Sequence, residues 1–351
     1  MAAKALQHRW KGLLRGLSAA LFWGLSMSAP KAEILTFDDL EGWREGGQAK
    51  ALAAFLVTCD KLDTPDWRPI CAMAQDVPKE EASARAFFEL FFKPVLIGTP
   101  PALFTVYYEP ILDGSLTRTA RFRVPLYRLP PDLQEGTPYL SRAAIEGGAL
   151  SGRGLEIAWV DDPVEAFFLH IQGSGRIKLP NGSHLRLGYA GRNGHGYRSL
   201  GQEMVRRGLM DMHSVSAQNI KSFVRANPAL GTELLNSNPS YIFFRKIGDL
   251  KEDQGPIGAM GRPLTPLSSV AVDPKFTPLG APIWIEKEGM TPIRRLMIAQ
   301  DTGGAIKGAQ RADIFFGSGD KAGLDAGVLK DGGRMVQLLP IDRAYALMAS
   351  Q

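Results

Sequence analysis

From Gly98 to about residue 340 the chain is a succession of short apolar runs, among them ARFRVPLYRL, YIFFRKIG, APIWIE, IRRLMIAQ, ADIFFG and RMVQLLP, separated by Gly, Pro and Asp turns. Strands this closely spaced, with no long helices between them, predict barrels rather than a doubly wound sheet. The 38 Gly and 24 Pro that supply the turns are high for a helical bundle. A length of 351 residues exceeds what one core holds, roughly 250 to 300 residues, so two domains are expected. With 45% hydrophobic and 22% charged residues the chain reads as a soluble globular protein, which excludes collagen, coiled coil and disorder.

Helical periodicity is confined to a few places. AKALAAFLVTCDKL and KEEASARAFFELFFKPV, between about 47 and 95, carry apolar residues at i, i+3 and i+4. Two further helices are expected near Ser199 to Arg207, ending at Gly208, and over Ser216 to Ala226 before Asn227-Pro228. Between them and the first strands, EAFFLHIQGSGRIKLPNGSHLRLGY reads as a hairpin turning at Pro180-Asn181-Gly182.

The first 29 residues stand apart. Lys4, Arg9, Lys11 and Arg15 precede an uncharged, mostly apolar run from Gly16 to Ala29, and Pro30 then breaks any helix. This is the pattern of a secretory signal peptide, with cleavage before Ala29 or retention as an uncleaved anchor as the alternatives. The run is short for a membrane span, which needs about 20 residues. Because four basic charges lie there, the formal +5 leaves the remainder almost neutral, and the charge gives no argument for nucleic acid. Cys59 and Cys71 are the only cysteines. An oxidising compartment favours a disulfide between them, and two buried free thiols are the alternative.

The chemistry concentrates in AQDTGGAIKGAQRAD. Asp301 and Asp313 end two apolar strands joined by a glycine-rich turn, so both carboxyls can reach one cleft. Partial burial in such surroundings raises a carboxyl toward the range useful to a general acid. Asp273, in SVAVDPKFTPLG, ends a third apolar run; a turn Asp capping its own backbone is the plain reading of any one of the three.

Other motifs fail. Gly303 to Gly308 holds Lys307, yet the spacing is not that of a phosphate-binding loop. Gly173-Ser174-Gly175 lacks the third glycine and the βαβ context of a dinucleotide fold, and reads as a tight strand turn. No G-x-S-x-G elbow is present. His170 reads as a packing residue in an apolar strand, while His195, in a glycine-rich loop, could face a ligand. Asp301-Thr302-Gly303 looks like an aspartic protease signature, but a single-chain protease needs a second copy that this sequence lacks. Two Cys without a paired His motif give no zinc site, and no metal or cofactor is expected.

Three blocks favour a polysaccharide: TVYYEP from Thr105, QGSGR from Gln172 and GYAGRNGHGYRS from Gly188. Tyr rings stack on sugar faces, amides bind hydroxyl and acetamido groups, and glycines keep a groove open. The candidate substrate-binding residues are Tyr107, Tyr108, Gln172, Ser174, Gly175, Arg176, Tyr189 and Asn193, with Asp273 and Lys307 beside the acids.

In chain order, FTVYYEP, HIQGSGRIKLPNG, GYAGRNGHGYRSLG, NPSYIFF, GPIGAMGRPLTPLSSVAVDPKFTPLG and AQDTGGAIKGAQRADIFFGSGDKAG resemble the lytic murein transglycosylase A family, whose C-terminal part is a three-aspartate domain. The resemblance implies a mainly β protein with N-terminal helices (α+β). After the signal peptide of 1–29, residues 30–105 and 240–351 would form a double-psi β-barrel catalytic domain together with the N-terminal helices. Residues 106–239 would form an inserted small β-barrel, with a groove for peptidoglycan glycan strands between the two. Family members are often lipoproteins; no Cys follows the apolar leader here, so the expectation is an exported, periplasmic monomer without a lipid anchor, with wall-remodelling complexes as further partners.

The resemblance also implies the reaction, cleavage of the β-1,4 bond between N-acetylmuramic acid and N-acetylglucosamine with formation of a 1,6-anhydromuramic end. Ordinary glycosidases need two carboxylates; here the sugar's own C6 hydroxyl is the nucleophile and one acid suffices. Motif position assigns that acid to Asp313, with Asp301 holding it through a hydrogen bond or like-charge coupling and Asp273 supporting the barrel or groove wall. The alternative from another class is a wall protein that binds peptidoglycan without turnover.

Overall fold

The computed structural model describes residues 31–248, 250–326 and 330–350, so the expected signal peptide lies outside the described residues. Three strands come first: β1 (Ala32–Ile34), β2 (Phe92–Ile97) and β3 (Leu103–Glu109). Six follow: β4 (Ile111–Ser115), β5 (Val124–Tyr127), β6 (Glu156–Val160), β7 (Gly175–Lys178), β8 (His184–Arg192) and β9 (Ile242–Ile247). The chain then returns with β10 (Ser269–Val272), β11 (Pro282–Lys287), β12 (Ile293–Thr302), β13 (Arg311–Ser318), β14 (Lys330–Asp331) and β15 (Gly333–Pro340). The first three and last six strands make one nine-stranded sheet in the order β1-β2-β15-β11-β12-β10-β13-β3-β14, and the middle six make a second sheet ordered β5-β6-β4-β7-β8-β9.

The helices are α1 (Gln48–Thr58), α2 (Arg68–Gln75), α3 (Glu81–Phe91), α4 (Arg142–Ala144), α5 (Pro163–Gln172), α6 (Leu200–Arg206), α7 (Ala217–Ala226), α8 (Pro228–Asn236), α9 (Gly319–Ala326) and α10 (Ile341–Ala349). The protein is thus mostly β with helices at the N-terminus and on the insertion. Among the described residues no helix is long and apolar enough to cross a membrane.

Each face of the nine-stranded sheet is buried. One packs on α1 to α3 through Trp43, Phe55, Phe88, Phe92, Trp284, Ile298 and Leu338, and the other gathers Phe104, Val270, Val272, Ile283, Met297, Ala312 and Ile314. Phe55, Phe87, Phe88 and Phe92 form tilted and edge-on aromatic pairs that fix α1 against α3. Cys59 and Cys71 are joined in a disulfide, Cα to Cα 5.4 Å, which ties the end of α1 to α2.

Three expectations are corrected. The segment EAFFLHIQ is not the first arm of a hairpin but α5. Asp162 accepts the backbone N–H of Val164 at 2.7 Å, Pro163 starts the helix, and Gly173 ends it with φ 83°. The helix is buried by both the second sheet and the α6–α8 cluster, so its sequence is apolar all round and carries no period that tells helix from strand. The hairpin proper is β7 with β8, and its turn contains Gly182 at φ 83°, where the sequence places it.

The second correction concerns Asn227-Pro228, which opens α8 rather than closing this part. The third concerns the boundaries: β3 stays in the nine-stranded sheet to Glu109, and β9 pairs with β8. The chain therefore passes between the sheets at Pro110 and after Ile247, later than 105/106 and 239/240. β9 reads like its C-terminal neighbours because any half-buried strand does; its partner is invisible locally.

Candidate active site

Four strands of the nine-stranded sheet, β12, β10, β13 and β3, lie side by side. In their register Ala271 is opposite Asp301 on one side and Asp313 on the other, and Asp313 is opposite Thr105. Residues in one row across a sheet point to the same face, so Asp301, Ala271, Asp313 and Thr105 share a surface. Tyr107, two residues beyond Thr105, lies on that surface as well.

Asp301 belongs to the row because of a bulge. The β10–β12 register pairs Val270 with Ala299 but Ala271 with Asp301, leaving Gln300 as the extra residue. Without it, Asp301 would follow Ala299 toward the apolar core. Gln300 is buried; its Nε2 donates to Ala54 O at 2.8 Å and its Oε1 accepts from Ser269 Oγ, which pins the bulge to α1 and β10.

The two half-buried carboxyls are held differently. Asp301 Oδ1 accepts the backbone N–H groups of Ala259 and Thr302, each at 2.9 Å, and its Oδ2 accepts the Tyr107 hydroxyl at 2.8 Å. Burial nevertheless pushes the Asp301 carboxyl up to about 6, against those three donors, and the charge of Asp313 adds least. Asp313 Oδ1 accepts the Thr105 hydroxyl at 2.6 Å, and Thr105 Oγ1 in turn accepts from Arg311 Nη2 at 2.7 Å. Burial raises the Asp313 carboxyl too, opposed by Thr105 and by the Arg311 charge.

Asp301 and Asp313 stand two strand spacings apart, about 10 Å between backbones, and no hydrogen bond joins them. The expectation that Asp301 holds Asp313 directly is corrected: Thr105 holds Asp313 and Tyr107 holds Asp301. Neither Thr105 nor Arg311 stood out in sequence, since a Thr inside an apolar strand is an ordinary β residue.

The remaining candidates divide. Tyr107 stacks beside Phe315, ring centres 5.4 Å apart, within the carboxyl row. Tyr108 points to the other face of β3, where its backbone N–H donates to Gln172 Oε1 at 3.0 Å; both line a separate cavity of about 740 Å³ beside α5, α6, α7 and α9. Tyr189 is 48% exposed, and Lys307 is exposed on the glycine-rich turn. Arg192, also exposed, faces that turn across the cleft, its Nη1 3.6 Å from where a Cβ on Gly304 would lie.

Four candidates are built into the protein instead. Asn193 is fully buried, donates to Leu140 O and Pro239 O and accepts from Tyr241 N, which uses its amide up. Arg176 is buried on Glu109 and Ser174 is buried beside it, while at Gly175 a Cβ would stand 3.0 Å from Pro110 O. Asp273 is buried; against the effect of burial, the N–H groups of Gly308 and Lys275 hold its carboxyl below the usual range, so it fastens the 303–308 turn to β10. His195 bonds Tyr139 O at 2.7 Å, and His170, in α5, packs on Tyr241 and Phe244.

With this geometry in hand, the chain was compared with known proteins. It matches the MltA specific insert domain over residues 103–245 and the 3D domain over residues 268–339. It is 36% identical over 248 residues to the membrane-bound lytic murein transglycosylase A of Vibrio cholerae serotype O1, a match covering 67% of this chain and 65% of that protein, just under two thirds of the relative's length. The crystal structure of the membrane-bound lytic murein transglycosylase from Agrobacterium tumefaciens superposes with a TM-score of 0.83 at 31% identity, covering 90% of this chain and 99% of that one. The E. coli MltA structure with bound chitohexaose gives 0.69 at 28% identity, covering 89% and 93%.

Proposed function

The chain belongs to the membrane-bound lytic murein transglycosylase A family, and we propose that it cleaves peptidoglycan glycan strands between N-acetylmuramic acid and N-acetylglucosamine, leaving 1,6-anhydromuramic ends. Asp313 is the acid and then the base. Its proton passes to the glycosidic oxygen as the C1–O4 bond breaks. The carboxylate left behind takes the proton of the C6 hydroxyl while O6 closes on C1. The carboxyl ends as it began, and no water is consumed.

One observation carries this reading. Asp313 is a half-buried carboxyl whose Oδ1 is fixed by Thr105, with Oδ2 bonded to no protein group among the described residues. Asp301 has partners on both oxygens, which suits a group that stays ionised and holds Tyr107 rather than one that hands a proton to substrate. A hydrolytic pair would need a second carboxylate positioned to attack C1 or activate water; Asp301 is tied down about 10 Å away along the row. The relative solved with chitohexaose supports a β-1,4-linked glycan as the ligand class.

In the same reading the nine-stranded sheet closes as a double-psi β-barrel and the six-stranded sheet forms the inserted small barrel, dividing at Pro110 and near Gly248, with the glycan in the cleft between Arg192 and the 303–308 turn. The parallel pairs β10–β12 and β3–β13 amid antiparallel neighbours support the crossed connections of such a barrel. The basic and then apolar leader supports export to the periplasm. The test is mass spectrometry of purified murein digested with the wild-type chain and with Asp313→Asn. Anhydromuropeptides from the first alone are expected; retention of murein with no product from either would leave a non-catalytic wall-binding protein.

A further inference from the structure

The chain crosses between its two sheets twice, and both crossings meet at one buried ionic cluster. Glu109, the last residue of β3, is 1% exposed. Its Oε2 accepts from Arg176 Nε at 2.9 Å and from Ser318 Oγ at 2.6 Å, and its Oε1 accepts from Arg186 Nη2 at 3.1 Å. Glu109 and Ser318 are register partners at the end of the nine-stranded sheet, whereas Arg176 and Arg186 are register partners in the β7–β8 hairpin of the other sheet.

The same two arginines grip the returning chain. Arg176 donates to Glu252 O, Glu252 Oε1 and Gln254 O, each at 2.9 Å. Arg186 donates to Lys251 O at 3.0 Å and to Gln254 O at 2.7 Å. Desolvated ionic groups of this kind seldom outdo apolar packing as a source of stability, and their best-attested use is to specify one geometry. Arg186 Nε, buried without a partner, fits a cluster selected for placement rather than for the number of bonds.

β8 carries the consequence to the cleft. Arg186 sits in the cluster, and Arg192, six residues along, faces Gly304 on the turn that joins the two carboxyl strands. Six residues of strand span about 20 Å, so a tilt of about 5° at the cluster moves Arg192 by about 2 Å. Displacements of about 1 Å at a reacting centre can cost about 100-fold in rate.

We propose that Glu109, Arg176 and Arg186 form an interdomain lock that sets the spacing between β8 and the 303–308 turn, and so are positioning residues that place the glycan against Asp313 without touching it. The kinetic part rests on the lytic reading above; the geometric part does not. The test uses the full chain with the Cys59–Cys71 bond intact and spin labels on cysteines introduced at Met212 and Tyr345, both exposed and on opposite sides of the lock. Double electron-electron resonance then reads the interdomain distance in Glu109→Gln and in Arg186→Lys.

Both variants are expected to broaden the distance distribution and to lower kcat/KM on murein by about 10- to 100-fold, with the pH midpoints of activity unmoved because Asp313 keeps its partners. A merely structural role would lower the melting temperature and leave the distribution at 25 °C narrow. Should Glu109→Gln fail to fold, Arg186→Lys, which keeps the charge, decides alone. A distribution as narrow as wild type, or a broadened one with unchanged kcat/KM, overturns the proposal. A wild-type chain without lytic activity overturns the functional reading instead, and the distance measurement still stands.

Discussion

Asp301 and Asp313 flank a single residue, Ala271, each paired to it in register across β10, and no hydrogen bond joins the two. The small side chain leaves open the floor between two carboxyls that are fixed by different partners, and the difference in those partners separates their roles.

Asp313→Asn removes the transferable proton and keeps the shape and the ability to accept from Thr105. The turnover of murein is expected to fall by at least about 100-fold, with glycan binding and melting temperature close to wild type. A sedimentation assay with insoluble murein, run beside product release, checks it; near-normal turnover would move the acid to Asp301.

Asp301 makes stability depend on pH in an uncommon direction. Its carboxyl stands at about 6 in the folded chain against about 3.9 when unfolded, so between those values the folded state holds the proton and the unfolded state does not. Stability from this group is full below about pH 4 and is lost as pH rises through about 6, by on the order of 2 kcal/mol. Denaturant unfolding of wild type and Asp301→Asn at pH 4 and pH 7 tests the sign: the stability of wild type relative to the variant should fall on going to pH 7, and a constant or rising difference contradicts it.

Tyr107→Phe deletes the hydroxyl that favours the ionised form of Asp301. The Asp301 carboxyl should then titrate above about 6, visible in the ¹³C shift of a selectively labelled aspartate. An unmoved or lowered midpoint would show that Tyr107 does not hold that charge.

Much of this site is legible in the sequence, and the reason the rest is not is physical. The two acids at strand ends, the glycine-rich turn and the short apolar runs are local features, and they fall where the pattern puts them. The bulge at Gln300 is different: it depends on Ala54 and Ser269, and alternation along β12 alone would leave Asp301 on the face of Ala299. Arg176 shows the same limit. Within QGSGR it looks like a groove residue, but its partner Glu109 is 67 positions away, and nothing local tells a buried ion pair from a sugar contact. α5 escaped because burial on both sides erased the period that would reveal a helix.

Thr105→Val keeps the β-branched shape of the strand and removes the donor to Asp313. Since that hydrogen bond opposes the effect of burial on Asp313, its loss should raise the carboxyl further and move the alkaline limb of kcat/KM to higher pH, with kcat down by about tenfold, the equivalent of about 1.4 kcal/mol. A pH–rate profile reads both, and an alkaline limb that stays in place or moves down contradicts the relay from Arg311 through Thr105.

The central claim is that a single carboxyl breaks the glycosidic bond and the sugar's own C6 hydroxyl captures the product, in a cleft that excludes bulk water. Digestion of purified murein in ¹⁸O-labelled water, followed by mass spectrometry of the released fragments, measures this directly. Anhydromuramic ends carrying no solvent oxygen are predicted. Predominant ¹⁸O at a new reducing end would contradict the account and give Asp301 a chemical role of its own, as the second member of a hydrolytic pair.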